Sequence, residues 1–352
     1  MKYLVIILFI SNSFLTSHEV LAKKPLFANN TPIYAVLSAP IRTIYQQKKK
    51  DVRLYHQGTF SYRDANDANQ KLKVKVRTRG NFRRRTCTYP PLRLNFARKE
   101  NKETLFEKQN KLKLVGQCKK GERYQELLNL EYLVYKIWQQ VSDYHFKTRL
   151  IKLSYIDTAG NSKPWTATTF VIEDVDDVAK RSKRKLLDVK NVARQQMNLA
   201  QTALLELFQL LIGNSDYSTL TGSPGRMCCH NARLITLKTN NLDVIPIPYD
   251  FDVSGFVNAP YASPASQYPI KNVRQRYYTG WCKEDRHTHA AIARFNQQKQ
   301  VIYQQVQNSG LLSDRTLKNT TNYLDSFYRL INSEDQVAKE IFGRCRGKLI
   351  QG

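Results

Sequence analysis

The pattern that most limits the fold is the alternation of charged and apolar residues at 71–80, "KLKVKVRTRG". A two-residue period places one face of a strand in a core and the other in solvent. The segments "PPLRLNF" (90–96) and "NKLKLVG" (110–116) repeat the pattern, with turn residues between them. The chain up to about residue 115 is therefore predicted to be basic and rich in strands.

A change in periodicity follows. Apolar residues recur at three and four in "YQELLNLEYLVYKIWQQV" (124–141), which predicts an amphipathic helix that contains Glu131. Strands are predicted again for "RLIKLSYID" (149–157) and "TATTFVIED" (166–174). The charged segment 174–185 is the best candidate for a domain boundary, so we expect a β-rich region with one long helix at 23–175 and a mainly helical region at 176–352.

The second region is expected to be helical around two short strands. A helix is predicted for 191–213, with Gly213 at its C-terminal cap, and two more for about 284–308 and 312–343. Between them, "ARLITLK" (232–238) and "LDVIPIPYD" (242–250) are predicted strands. The second of these ends at Asp250, and Asp252 follows two residues later.

The N-terminus has the form of a secretory signal peptide. Lys2 precedes an apolar run from Tyr3 to Ile10, and Val20-Leu21-Ala22 suits cleavage after Ala22. We predict removal of residues 1–22 and an exported protein, periplasmic or extracellular. The run is short for a membrane anchor, and no other stretch is apolar enough to be predicted as a span.

Charge and cysteine content narrow the partners and the compartment. The chain has 56 Lys and Arg against 29 Asp and Glu, a formal net charge of +27. This excess favours anionic partners: phosphorylated molecules, an anionic envelope polymer, a membrane surface or nucleic acid. The six cysteines, in an exported chain, favour disulfides over a zinc site, because no CxxC pair or His-rich spacing occurs. Their pairing is not predicted.

Charged side chains at the end of a buried strand need partners, and a metal site would supply them. Asp250 and Asp252 in "VIPIPYDFDVSG" are spaced i, i+2 after an apolar run. A turn capped by the two carboxylates is the simpler explanation. However, Asp216 follows the long helix and Asn231 precedes the strand "ARLITLK". That order of residue types suits phosphoryl transfer, which depends on positioning and on neutralising charge.

In these motifs the sequence resembles the CotH-like atypical protein kinases and, more distantly, HipA-like kinases. "GNSD" at 213–216 with "HN" at 230–231 is similar to the family's catalytic loop, and "IPYDFDVSG" to its metal-binding segment. "VRTRGNF" (76–82) and "LLNLEYLVYKIW" (127–138) also resemble stretches of the family. The resemblance covers about residues 70–285 and implies an α+β, two-lobed protein-kinase-like fold, with a β-rich N-terminal lobe and a mainly helical C-terminal lobe.

The resemblance assigns roles residue by residue. Asp216 would be the catalytic carboxylate; Asp250 and Asn231 would bind Mg²⁺ or Mn²⁺, with Asp252 a further ligand. Glu131 would brace the lysine that binds the phosphates of ATP or another nucleoside triphosphate. Asn95 stands where the family has that lysine, so we favour Lys113, with Lys111 on the same strand face and Arg93 as the runner-up. Glu173 in "FVIED" would line the adenine pocket.

The leading hypothesis is an exported kinase-like enzyme that phosphorylates a hydroxyl acceptor, with protein Ser/Thr favoured. The alternative is a catalytically inactive scaffold that binds an anionic envelope polymer or nucleic acid through its basic surface. Basic and aromatic residues alternate in "VRQRYYTGWC" (273–282), as in single-strand binders. Packing against the second region is the preferred explanation of that segment, so nucleic acid is disfavoured.

Overall fold

A computed structural model describes residues 25–49 and 51–350. The predicted signal peptide, residues 1–22, lies outside the described residues. None of the helices in the described ranges is both long and apolar enough to span a bilayer.

The first part of the chain is a closed β-barrel. Its seven strands are hydrogen-bonded in the order β1-β2-β3-β4-β5-β7-β6, and β6 pairs with β1 in parallel to close the sheet. Alternate residues of each strand fill the interior, including Leu37, Phe60, Val74, Leu94 and Leu112. The strands are β1 (Ile33–Ala39), β2 (His56–Arg63), β3 (Asn69–Thr78), β4 (Leu92–Phe96), β5 (Lys111–Val115), β6 (Thr148–Asp157) and β7 (Trp165–Ile172).

The predicted fold class, a two-lobed protein-kinase-like fold, is therefore wrong. The seven strands form a closed barrel rather than the expected β-rich N-terminal lobe, because β1 bonds to both β2 and β6 and leaves the sheet without an edge. The apolar alternation that predicted the strands is the same in an open sheet and in a barrel. Closure depends on pairing Ile33 with Ile151, a contact between distant parts of the chain that no local pattern contains.

Helices pack against the outer face of β6 and β7 and share a second core with it. Buried residues of α3, α5, α6 and α7 meet barrel residues such as Leu150 and Phe170 there. The remaining elements are α1 (Ile41–Gln46), α2 (Phe82–Thr86), α3 (Glu122–Val141), α4 (Val175–Arg181), β8 (Lys185–Leu186), α5 (Leu199–Ile212), β9 (Ala232–Thr236), β10 (Ile245–Pro248), β11 (Trp281–Lys283), α6 (Asp285–Gln307), α7 (Asp314–Ile331), α8 (Glu334–Glu340) and β12 (Arg346–Ile350).

Capping residues decide where two predicted helices begin and end. The helix predicted for 191–213 begins only at Leu199, because the Asn198 side chain accepts a hydrogen bond from the Gln201 N–H and caps it. The helix predicted for 312–343 is two helices, α7 and α8. Ser333 starts α8 by accepting from the Gln336 N–H.

Disulfides tie loops to these elements. Cys87, just after α2, is bonded to Cys118, and Cys282 in β11 is bonded to Cys345. The adjacent Cys228 and Cys229 are also joined. The bond at Cys87 fixes the end of the short helix α2, which contributes to the site described next.

Candidate functional site

A cleft of about 850 Å³ separates the outer face of β3–β5 from the loops that follow α5 and β10. Its charge is unbalanced, because eight basic side chains line it against four acidic ones. The basic residues are Arg53, Arg77, Arg79, Arg83, Arg93, Lys113, Arg226 and Arg233, and the acidic ones are Asp188, Asp216, Asp250 and Asp252. The cleft thus has an excess of positive charge that suits an anionic ligand.

The barrel wall of the cleft contains a row of three cations. Arg77, Arg93 and Lys113 lie directly opposite one another on neighbouring strands, and their side chains share the outer face. Like charges opposite each other destabilise a sheet. None of the three forms an ion pair within residues 25–49 and 51–350. Burial, followed by Arg79, Arg233 and Arg93, lowers the pKa of Lys113 to about 7.

Arg83 connects the barrel to the carboxylates across the cleft. It lies on α2, just after the turn at Gly80, and its Nη1 donates to Glu131 Oε2 at 2.8 Å. Its Nε is 3.6 Å from Asp252 Oδ2, and its Nη2 donates to the Gly116 carbonyl. Both the Arg83 and Glu131 side chains are almost fully buried. Arg83 therefore compensates negative charge that would otherwise be buried unpaired.

Three carboxylates form a cluster that fits a divalent cation. One oxygen from each of Glu131, Asp250 and Asp252 lies within 4.8 Å of the others. Asp252 Oδ2 is buried without a hydrogen-bond partner. Burial raises the pKa of Asp252 and of Glu131, while Arg83 opposes both rises. An all-oxygen donor set with one unsatisfied buried oxygen suits Mg²⁺ or Mn²⁺.

Backbone geometry holds the two carboxylate loops together. Gly213 adopts a left-handed conformation (φ 62°) that ends α5, as the sequence predicted, and a Cβ there would lie 2.2 Å from the Tyr323 hydroxyl. The Gly255 N–H donates to the Gly213 carbonyl at 3.0 Å. Asp250 also has a positive φ, 67°, and its N–H donates to the Tyr135 hydroxyl of α3. A left-handed conformation in a residue other than glycine is a strain that clusters at functional sites.

Asp216 lies at the centre of a small polar network beside this cluster. His230 Nε2 is 2.7 Å from Asp216 Oδ1, and the Asn231 amide donates to Asp216 Oδ2 at 3.0 Å. The Ser223 hydroxyl lies 2.9 Å from His230 Nδ1. The hydrogen bond to Asp216 raises the pKa of His230. Asp216 is half-exposed and so remains accessible to a substrate hydroxyl.

The structure brings most of the predicted site residues into this one cleft. Asp216, Asn231, Asp250, Asp252, Arg93 and Lys113 all line it. The expected pairing of Lys113 with Glu131 does not form, because Arg83 occupies Glu131 and Lys113 instead lies over the Tyr249 ring, 4.4 Å from its centroid. Asn231 directs its amide nitrogen at Asp216, and its role as a metal ligand stays a prediction.

Glu173 does not line the cleft. Its carboxylate accepts a hydrogen bond from the Lys147 N–H and pairs with Arg181 at 3.1 Å. These contacts give the buried carboxylate a structural role at the end of β7. A role for Glu173 in binding adenine remains a prediction from the resemblance.

Two functional candidates were missed in the sequence. Arg83 stands in the run Arg83-Arg84-Arg85, of which Arg83 and Arg84 are both buried, and nothing local distinguishes the arginine that reaches Glu131. His230 has no signal in the sequence beyond its place next to Asn231, and the structure brings it within 2.7 Å of Asp216, fourteen residues away along the chain. A buried carboxylate requires a nearby cation, so a buried position for Glu131 on α3 would have predicted a basic partner such as Arg83.

Comparison with known proteins adds no assignment, since no family model, curated protein or solved structure matches this chain.

Proposed function

We propose that the protein catalyses metal-dependent phosphoryl transfer from a nucleoside triphosphate, ATP in the first instance, to a hydroxyl acceptor. One observation carries the proposal: a cluster of carboxylate oxygens and a set of unpaired cations face each other across a single cleft. Phosphoryl transfer needs positioning and neutralisation of phosphate charge more than covalent chemistry. The resemblance to CotH-like kinases supports the same reaction, while the fold gives it no support.

Asp250, Asp252 and Glu131 would hold the cation. When bound, Mg²⁺ or Mn²⁺ supplies positive charge that offsets the charge of the phosphates. Arg83 limits the negative charge of the cluster, since it pairs with Glu131 and lies near Asp252. Lys113, Arg79 and Arg233, which crowd one another near Asp250, would bind phosphate oxygens.

Asp216 would orient the acceptor hydroxyl and take its proton. Its carboxylate is fixed by His230 on one oxygen and by Asn231 on the other. Each carboxylate oxygen can accept a further hydrogen bond, so an acceptor hydroxyl has a place to dock. Fixing the base in this way provides the positioning on which the reaction depends.

Thermal unfolding of the mature protein with ATP and Mn²⁺ tests the metal site. We expect the pair of ligands to raise the melting temperature, because saturation at a hundred times Kd stabilises by about 2.7 kcal/mol. Asp250→Ala should lose this effect. Asp188→Ala, which removes the same charge from the same cleft, is the matched control and should keep it.

Transfer of the γ-phosphoryl group is measured separately. Asp216→Asn should keep the stabilisation by ATP and Mn²⁺ but lose transfer. No stabilisation of the wild-type protein, or equal stabilisation of Asp250→Ala, would contradict the proposal and favour the alternative, a scaffold that binds anions through its basic surface.

A further inference from the structure

A line of positive charge runs along the outside of the barrel into the cleft. Lys71, Lys73, Lys75 and Arg77 alternate with buried residues on β3, so all four side chains share its outer face. We call these four residues the β3 stripe. Lys73 has one ion pair, to Glu100 at 3.6 Å, and both partners are exposed. In the described ranges the other three have none, so the stripe is available to an anion.

At its inner end the stripe meets two further arginines. Arg53 and Arg226 both donate to Asn81 Oδ1, at 3.0 and 3.5 Å, and so converge from separate loops on the same point near Arg77. Burial, then the nearby Arg84, Arg77 and Arg226, lowers the pKa of Arg53. Arg77 Nε is buried without a hydrogen-bond partner. These guanidiniums repel one another, and an anion between them would relieve the repulsion.

This inner end adjoins the proposed catalytic carboxylate. Arg226 lies on the loop of Ser223, and the Arg226 N–H donates to the Ser223 carbonyl. Ser223 contacts His230, and His230 contacts Asp216. An anionic group bound by Arg53 and Arg226 would therefore lie close to a hydroxyl placed at Asp216.

The spacing of the stripe fits an extended peptide. Alternate residues of a strand are about 6.8 Å apart, and alternate acidic residues of an extended peptide have the same repeat. The residues paired with the three lysines on β2 are Ser61, Thr59 and Gln57, which offer hydrogen bonds but no aromatic ring, and only Arg77 at the inner end lies over a ring, that of Tyr55. Single-stranded nucleic acids are held largely by stacking successive bases on aromatic side chains, so a surface with one ring at its end suits a peptide better.

We propose that the acceptor is an acidic polypeptide segment that lies along the β3 stripe, with an acidic residue at Arg53 and Arg226 and its hydroxyl at Asp216. The inference names the acceptor for the function proposed above and so rests on it. Eight basic against four acidic side chains leave the lining of the cleft with an excess of four positive charges, which is more than the net negative charge of a metal-bound triphosphate, so positive charge remains for an acidic acceptor.

Binding of a labelled peptide, followed by fluorescence anisotropy at fixed salt, tests the surface without catalysis. The probe has Ser flanked by Glu at alternate positions, and the reference peptide has Gln in place of Glu. We expect Lys71→Glu/Lys75→Glu to weaken binding of the Glu peptide by about tenfold. The control Arg315→Glu/Lys318→Glu, the same charge change on exposed residues of α7, should stay within about twofold.

Two further measurements separate this inference from the proposed function. With ATP and Mn²⁺, Lys71→Glu/Lys75→Glu should raise the KM for the Glu peptide, while kcat and the thermal stabilisation by ATP stay unchanged. If ATP stabilises the wild-type protein but the Glu and Gln peptides bind alike, the acceptor inference fails alone. If the Glu peptide binds at the stripe but ATP and Mn²⁺ give no stabilisation, the proposed function fails and with it the peptide's role as acceptor.

A single-stranded oligonucleotide and a polyphosphate chain provide the last comparison. We expect both to bind more weakly than the Glu peptide at matched charge. Equal or tighter binding, lost to the same extent in Lys71→Glu/Lys75→Glu, would overturn the assignment of a peptide and define a general polyanion surface.

Discussion

The two walls of the cleft are built in different ways. The barrel wall takes its cations from strands whose register places Arg77, Arg93 and Lys113 side by side. The loop wall takes its polar groups from turns, two of which, the amide of Asn231 and the carboxylate of Asp250, stand on residues with positive φ angles. Strand positions are fixed by many backbone hydrogen bonds, whereas each turn depends on a few contacts such as that between Gly255 and Gly213.

Because of this difference, one wall of the cleft supplies positive charge and the other places polar atoms precisely. The barrel wall provides positive charge without ion-pair partners among the residues that the structure describes, on a rigid surface. Such a surface suits an anion whose position is fixed by the loop wall. The loop wall places a small number of polar atoms at defined distances, which suits a cation and a reacting hydroxyl. Arg83 connects the two walls. It lies on α2, directly after barrel strand β3, and pairs with Glu131 and Asp252.

Removing Arg83 should therefore have the largest effect. In Arg83→Met, Glu131 is left buried without its cation, and breaking a buried ion pair in this way costs about 3–5 kcal/mol of the free energy of unfolding. Urea denaturation measures the loss. The double variant Arg83→Met/Glu131→Gln removes the charge of both partners and should recover a large part of it. A single variant within about 1 kcal/mol of wild type would show that the walls are joined by other contacts.

A smaller effect, of opposite sign, is expected on the barrel wall. Lys113→Met removes one of three opposed cations, so at pH 7 and low salt the unliganded variant should be more stable than wild type by about 1 kcal/mol. The same variant should lose part of the stabilisation by ATP and Mn²⁺. Lys111→Met, on the same strand but exposed, is the control and should change neither.

The wild-type protein should also show the pH dependence of this lysine. Because the pKa of Lys113 is about 7 in the folded state, against 10.5 for the free side chain, the unfolded chain binds one more proton between these values. The contribution of Lys113 to stability therefore increases as the pH rises from 7 towards 10.5. Urea denaturation at pH 7 and 9 should show this increase in wild type and not in Lys113→Met; equal pH dependence in both would contradict it.

The sequence predicted the elements better than their arrangement. Strands β3 to β7 and helix α3 follow local apolar periods, and the structure contains all of them near the predicted ranges. Closure of the barrel could not be predicted, since it depends on β1 meeting β6, and the expected kinase-like fold was wrong for that reason.

At the site, too, the sequence predicted individual residues but not all of the contacts between them. Asp216, Asp250 and Asp252 were found because each stands at the end of a recognisable helix or strand, and the structure places them in one cleft. The partner of Glu131 could not be predicted, because Arg83 and Arg84 are neighbours of the same type, both buried, and only Arg83 pairs with Glu131. Lys113 was the favoured partner of Glu131, but a place on a neighbouring predicted strand does not fix whether two side chains meet, and Lys113 lies over the Tyr249 ring instead.

The smallest effect is expected on the loop wall, at His230. Its pKa is raised by the hydrogen bond to Asp216, so the folded state binds a proton more tightly than the unfolded chain. The resulting stability is present below pH 6.5 and is lost as the pH rises through the folded pKa, which is the reverse of the behaviour expected for Lys113. The side chains of His230 and Asp216 are more than one third exposed, so His230→Asn should lower the free energy of unfolding by less than about 1 kcal/mol at pH 6 and by less still at pH 8.

The control is Ser223→Ala, which leaves the contact between His230 and Asp216 in place and should keep the wild-type pH dependence. If His230→Asn were equally destabilised at both pH values, the ring would act through packing or neutral hydrogen bonds. The loop wall would then place Asp216 without using charge, and the contrast with the barrel wall would be greater than we infer.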